Sequence, residues 1–168
     1  MLALPSQKMF YIDIMHIFDE NIKKLGLFIP EPPEAVANYV PFKIIDNIMY
    51  VSGQAPLKDG EIIYKGKIND SISISEGIKA AELCCINIIA ALKKGIDNDW
   101  NKFDSFIKLG AFVNCNSDFF DQPKIVNGAS DLLVNIFGDK GRHTRFAVGS
   151  NSLPLDIAVE IEAVIKLK

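Results

Sequence analysis

The stretch RHTRFAVGSNSLPLDIAVEIEAV, Arg142 to Val164, decides the architecture, because from Ile157 onward it alternates with a period of two. Ile157, Val159, Ile161, Ala163, Ile165 and Leu167 share one face of a strand, while Ala158, Glu160, Glu162 and Val164 share the other. The first set must meet a core. The same test applied to RHTRFAVG puts Thr144, Phe146 and Val148 on the core side and His143, Arg145 and Ala147 opposite. A hairpin through SNSLPL, centred between Ser152 and Leu153, then pairs positions summing to about 305. Arg145 is predicted to face Glu160, His143 to face Glu162 and Ala147 to face Ala158, all on a sheet face free of helices. Such an Arg–Glu pair reads in two ways. It is either a cross-strand ion pair worth ~0.2–1 kcal/mol, or a donor fork and a carboxylate beside two small residues, a space suited to a small carboxylic acid and a water. His143 divides likewise between a satisfied side chain and a proton shuttle. Both arginines of the chain lie here among sixteen lysines elsewhere, and Arg142, out of phase with the strand face, reads as structural.

Upstream, Ser73 and Glu76 form an S-x-x-E capping box, and Ile78, Ala81, Cys85, Ile88 and Leu92 follow at helical spacing, predicting a helix over about Ser75 to Lys94. A second main helix opens at Asp121 and Pro123 and closes at Gly138, with Ile125, Ala129, Leu132, Leu133 and Ile136 inward. FKII and IMYVSGQ flank Asp46-Asn47 as a hairpin, DGEIIYKGKI reads as a short ribbon, and FDSFIKLGAFVNC as a strand partly buried on both faces. Ser6 can cap an N-terminal helix to about Leu25 with Phe10, Ile14, Ile17, Phe18, Ile22 and Leu25 on one face, ended by Gly26. The prolines of IPEPPEAVANYVP follow as a connector. The expected organisation is an accessory helix and connector over 1–36 and one α+β sandwich over 37–168, a mixed sheet with two main helices on one face.

Composition excludes several classes. With 168 residues, 49% hydrophobic and 23% charged, the chain is an ordinary globular one, not a disordered one. Net charge is −3 and the lysines are scattered, so no nucleic-acid partner is expected. No apolar run approaches the ~20 residues of a bilayer span, and a cytoplasmic protein with no membrane partner is expected. Cys84, Cys85 and Cys115 form neither a disulfide framework nor a metal-ligand spacing, and they read as small apolar fillers. No metal is expected.

Three blocks resemble the Rid (YjgF) family, the reactive-intermediate deaminases once grouped as L-PSP endoribonucleases: NYVPFKIIDNIMYVSGQAP from Asn38 to Pro56, the helix bearing Asn127, and Arg142 to Val164. The last block carries an R-x-x-V-x₄-LP-x₅-E-x-E-A arrangement at Arg145, Val148, Leu153, Pro154, Glu160, Glu162 and Ala163. The resemblance implies a chorismate-mutase-like homotrimer with a ligand cleft at each subunit interface. It implies Arg145 as the carboxylate anchor and Glu160 as the water-positioning acid. Tyr39, Ser52, Gly53, Asn127 and Ala147 would line the substrate, with His143 as an accessory. It further implies hydrolysis of 2-aminoacrylate-type imines to 2-oxo acids and ammonia without a cofactor. A non-catalytic trimer binding small carboxylates or a protein partner is the rival, and a ribonuclease finds no basic groove here. Ala147 stands where the family often has Cys, and the N-terminal helix and the GIDNDWNK loop are additions that mark a divergent branch.

Overall fold

The computed structural model describes residues 17–32 and 38–168. Strands β1 (Phe42–Ile45) and β2 (Ile48–Gln54) are joined by Asp46 and Asn47, both at positive φ, as a two-residue hairpin that matches strand twist requires. Next come a two-stranded ribbon, β3 (Leu57–Lys58) with β4 (Glu61–Ile62), and helix α2 (Ile74–Gly95). Both halves of the Ser73–Glu76 capping box are made. Strand β5 (Phe103–Asn114) leads to helix α3 (Gln122–Phe137), then β6 (Thr144–Ser150) and β7 (Val159–Leu167). Gly138 caps α3 at positive φ. The main sheet is mixed, in the order β1-β2-β7-β5-β6, with β5 and β6 parallel and every other pair antiparallel.

Both main helices cover one face of that sheet. Met49, Val51, Leu109, Ala111, Val113, Ile161, Ala163 and Ile165 are buried beneath α2 and α3, whose inner residues, Ile88, Leu92, Ile125 and Leu133, are fully buried. The three cysteines are free and buried, as small apolar fillers would be, and burial pushes the thiols of Cys84 and Cys85 up. Residues 17–24 form the described part of the N-terminal helix, α1, and Gly26 takes a positive φ just after it. The expected turns from Ser6 through Phe10 and Ile14 lie outside the described residues. Phe18 and Ile22 enter the common core, where Phe18 meets Trp100, Phe103 and Phe137 edge-on, whereas Ile17 and Leu25 remain about half exposed. Trp100 also donates from its indole to Asp19.

The hairpin expected between the last two strands is not formed. β6 pairs only with β5, in parallel, so Arg145 lies beside Leu109 and Ala147 beside Ala111. β7 lies on the other side of β5, with Phe112 beside Glu160 and Gly110 beside Glu162. The Arg145–Glu160, His143–Glu162 and Ala147–Ala158 pairings are therefore replaced. The faces of β6 are also reversed: Arg145 and Ala147 point to the helices, while Phe146 stacks edge-on against Phe112 on the open face. The physical reason is the crossover. β5, α3 and β6 form a β-α-β unit, which requires a parallel pair, and the chain after β6 passes over β5 through a short 3-10 turn in which Leu155 and Asp156 take positive φ.

Candidate functional site

The expected site residues fall into two groups. The first lies where α3 crosses the edge strand β6. Asn127, Ser130 and Val134 recur at three- and four-residue spacing and so line one face of α3. Arg145 donates from Nη1 to Ser130 Oγ at 2.9 Å, and from Nη2 to Asn127 Oδ1 at 2.8 Å and Pro123 O at 3.3 Å. His143 Nδ1 lies 2.7 Å from Gly141 O and its Nε2 lies 3.0 Å from Ser130 Oγ. A carbonyl can only accept, so Nδ1 carries the proton, Nε2 accepts from the Ser130 hydroxyl, and Ser130 Oγ accepts from Arg145. Burial, and after it the Arg145 charge, hold His143 below its ordinary value against the opposing pull of the Gly141 carbonyl, which favours the neutral ring this chain of bonds requires.

Gly141 makes the arrangement possible. A side chain there would overlap the backbone carbonyl of Leu133, so only glycine lets this segment pass tightly over α3 and aim its own carbonyl at His143. Around the cluster lies an open cavity of about 260 Å³ lined by Asn127, Ser130, Val134, Arg142, His143 and Arg145. Its lining holds no carboxylate.

The second group lies on the open face of the sheet. The pairing of β2 with β7 shifts register between Val51 and Gln54, and Gly53 there lies directly against the Glu160 carboxylate, where any side chain would overlap it. Glu160 is half-buried. Burial first, and the neighbouring Glu162 charge second, raise its carboxyl above the usual range. Ser52 donates from Oγ to Val40 O at 2.7 Å and so ties β2 to the segment bearing the exposed Tyr39. Tyr50, Phe112, Val148 and Ile45 are large apolar side chains of this face that the other described residues leave exposed.

Gly53, Ser52 and Glu160 are thus brought together, with Tyr39 nearby, and so are Arg145, Asn127, Ala147 and His143. The two groups are not. β2 and β6 are separated by β7 and β5, about 14 Å at the usual strand spacing, and Arg145 and Glu160 occupy opposite faces. Ser130, which connects His143 to Arg145, was not singled out from the sequence. Its position three residues after Asn127 on a helix is the signal that could have found it.

The family described as "YjgF/chorismate mutase-like, putative endoribonuclease" matches residues 20–165. The chain belongs to the Rid/YjgF family. Protein TCP17 of Trypanosoma cruzi is 34% identical over 148 residues, 88% of this chain and 92% of that one. The crystal structure of Atu1372, a protein of unknown function from Agrobacterium tumefaciens, superimposes with a TM-score of 0.89 at 36% identity, covering 97% of this chain and all of that one. The Rid/YjgF match begins within α1, at residue 20, two residues after Phe18, which is built into the common core. Among the described residues, no group of three or more His, Cys, Asp or Glu side chains could hold a metal ion, and no helix is long and apolar enough to cross a membrane.

Proposed function

We propose that this Rid/YjgF protein hydrolyses small 2-imino acids to 2-oxo acids and ammonia, at a site completed between subunits of a homotrimer. The observation that carries the reading is the separation just described. A carboxylate anchor at the sheet edge and an acid of raised pKa on the open face can serve one small substrate only if different subunits supply them. The uncovered apolar residues of the open face supply a reason for subunits to associate.

In this reading the substrate carboxylate binds at Arg145. Among the described residues Nε–H and the second Nη1–H meet no acceptor, while both Nη2 hydrogens are engaged. A bidentate grip therefore requires Asn127 to turn its carbonyl away, after which its amide can donate to the same ligand. Glu160 of a neighbouring subunit takes a proton from a water as its oxygen bonds to the imine carbon. It passes that proton to the nitrogen, giving a carbinolamine. It then takes the proton of the new hydroxyl as the carbonyl forms and delivers it to the departing nitrogen, so that the C–N bond breaks to release ammonia and the 2-oxo acid. A raised pKa suits an acid that must both accept and donate near neutrality. An enamine substrate must first tautomerise to its imine.

One observation favours a rival, a trimer that binds without catalysis: Arg145 is already bonded to three acceptors on α3, as an arginine that only fastened β6 to the helix would be. The test is release of ammonia and 2-oxo acid from imines generated enzymatically from serine or threonine. Acceleration over the spontaneous reaction supports the deaminase. None, from a folded trimer that still binds pyruvate, supports the rival.

A further inference from the structure

Both arginines of the chain line the same cavity. Arg142 stands just before β6, at the end of the 3-10 turn Gly138–Gly141, and lines the space of about 260 Å³ that Arg145 also lines. The two use their donors differently. Arg145 spends both Nη2 hydrogens and one of Nη1 on α3. Among the described residues Arg142 makes one side-chain bond, from Nε to Asp139 Oδ1 at 3.1 Å, and its two Nη groups meet no acceptor. The free guanidinium fork at this cavity therefore belongs to Arg142. Asp139 offsets part of its charge from outside the lining, where no carboxylate stands, and His143 is neutral in the bonding pattern derived above.

Two guanidinium groups facing a cavity whose lining holds no carboxylate, with only Asp139 beside one of them, suit a ligand with two acid groups. Resting on the reading of Arg145 as a carboxylate anchor, we propose that this protein accepts 2-imino acids with a preference for dicarboxylic ones, and that Arg142 binds the second carboxylate. One carboxylate meets Arg145 beside the carbon to be hydrolysed, and the side-chain carboxylate meets the Nη pair of Arg142. The other cavity residues fit this assignment. Val134 lines it without competing for either anion, and Ser130 is occupied between His143 and Arg145.

The test compares product analogues matched in carbon number, by calorimetry on the full-length assembly: 2-oxoglutarate against 2-oxopentanoate, and oxaloacetate against 2-oxobutyrate. In at least one pair the dicarboxylate binds tenfold or more tightly, and the advantage shrinks as salt is raised. Arg142→Gln, a change at an exposed side chain, brings the ratio close to one. Asp139→Asn, which removes the competing carboxylate, raises it. Equal affinities within both pairs, or a preference that survives Arg142→Gln, overturn the assignment. If the monocarboxylates bind and the preference is absent, only the role of Arg142 fails. If no 2-oxo acid binds at all, Arg145 as anchor fails with it.

Discussion

Replacing Arg145 by Lys tests what the arginine does in the fold before any ligand is considered. Its guanidinium joins β6 to α3 through Ser130, Asn127 and the Pro123 carbonyl, two of these bonds lying at the surface. A lysine ammonium at the same place reaches one of the three acceptors and cannot span the others, because it lacks the planar fork. With ~0.5–1.5 kcal/mol for a typical bond, and the lower half of that range for exposed ones, losing two costs about 1–2 kcal/mol. For a chain of this size each kcal/mol moves the midpoint by about 2–4 °C, so Tm should fall by about 2–8 °C. Scanning calorimetry on wild type and variant measures it, and Asn127→Ala should produce a smaller loss in the same direction. Glu160→Gln should not reproduce the effect, since Glu160 lies on the opposite face. A Tm unchanged to within about 1 °C in Arg145→Lys would refute the reasoning, because it would mean that the three bonds contribute nothing.

Other consequences follow from the same geometry. His143 should show a protonated Nδ1 and a neutral ring to below its ordinary value near 6.5, read from ¹⁵N shifts during a pH titration. Because the unfolded chain takes up that proton first, the stability contribution of His143 is intact above about pH 6.5 and is lost as pH falls through the lower folded value; His143→Asn should flatten this acid slope in urea unfolding. Glu160 has the opposite sign, stabilising below the usual Glu range and costing stability as pH rises through its raised folded value, so Glu160→Gln should remove that loss while abolishing most turnover. Gly53→Ala displaces only the flexible end of Glu160 and should lower turnover tenfold or more at a stability cost under about 1 kcal/mol, whereas Gly141→Ala meets the backbone of α3 and should cost about 1–3 kcal/mol. Phe18→Ala should cost about 3–5 kcal/mol in denaturant unfolding if α1 is part of the core.

The elements were legible in the sequence where one face is buried and the other wet. β7 alternates without exception from Val159 to Leu167, the capping box marks the start of α2, and Asp46-Asn47 marks a turn that needs two positive φ angles. β6 was legible as a strand but not in its orientation. Its apolar Phe146 and Val148 look inward by composition, yet they lie on the open face, while the inward positions hold Arg145, which bonds to α3, and the small Ala147. A period of two cannot distinguish parallel from antiparallel neighbours, and the turn at Leu155-Asp156 that carries the chain over β5 has no glycine to announce it. The helix between β5 and β6 was the usable signal, since a strand, a helix and a strand in succession favour a parallel crossover. The candidate site was legible as a set of residues through family resemblance. Its division between two faces of the sheet depends on strand order, which one sequence does not encode locally.

Subunit complementation tests the central claim most directly. Arg145→Ala and Glu160→Gln subunits, each inactive alone in imine hydrolysis, are mixed under conditions where subunit exchange is followed by native mass spectrometry. Sites in which one subunit supplies Arg145 and its neighbour supplies Glu160 should regain activity, measured as ammonia and 2-oxo acid release rising with the fraction of mixed assemblies. Mixed assemblies that form and remain as inactive as their parents would contradict a site shared between subunits.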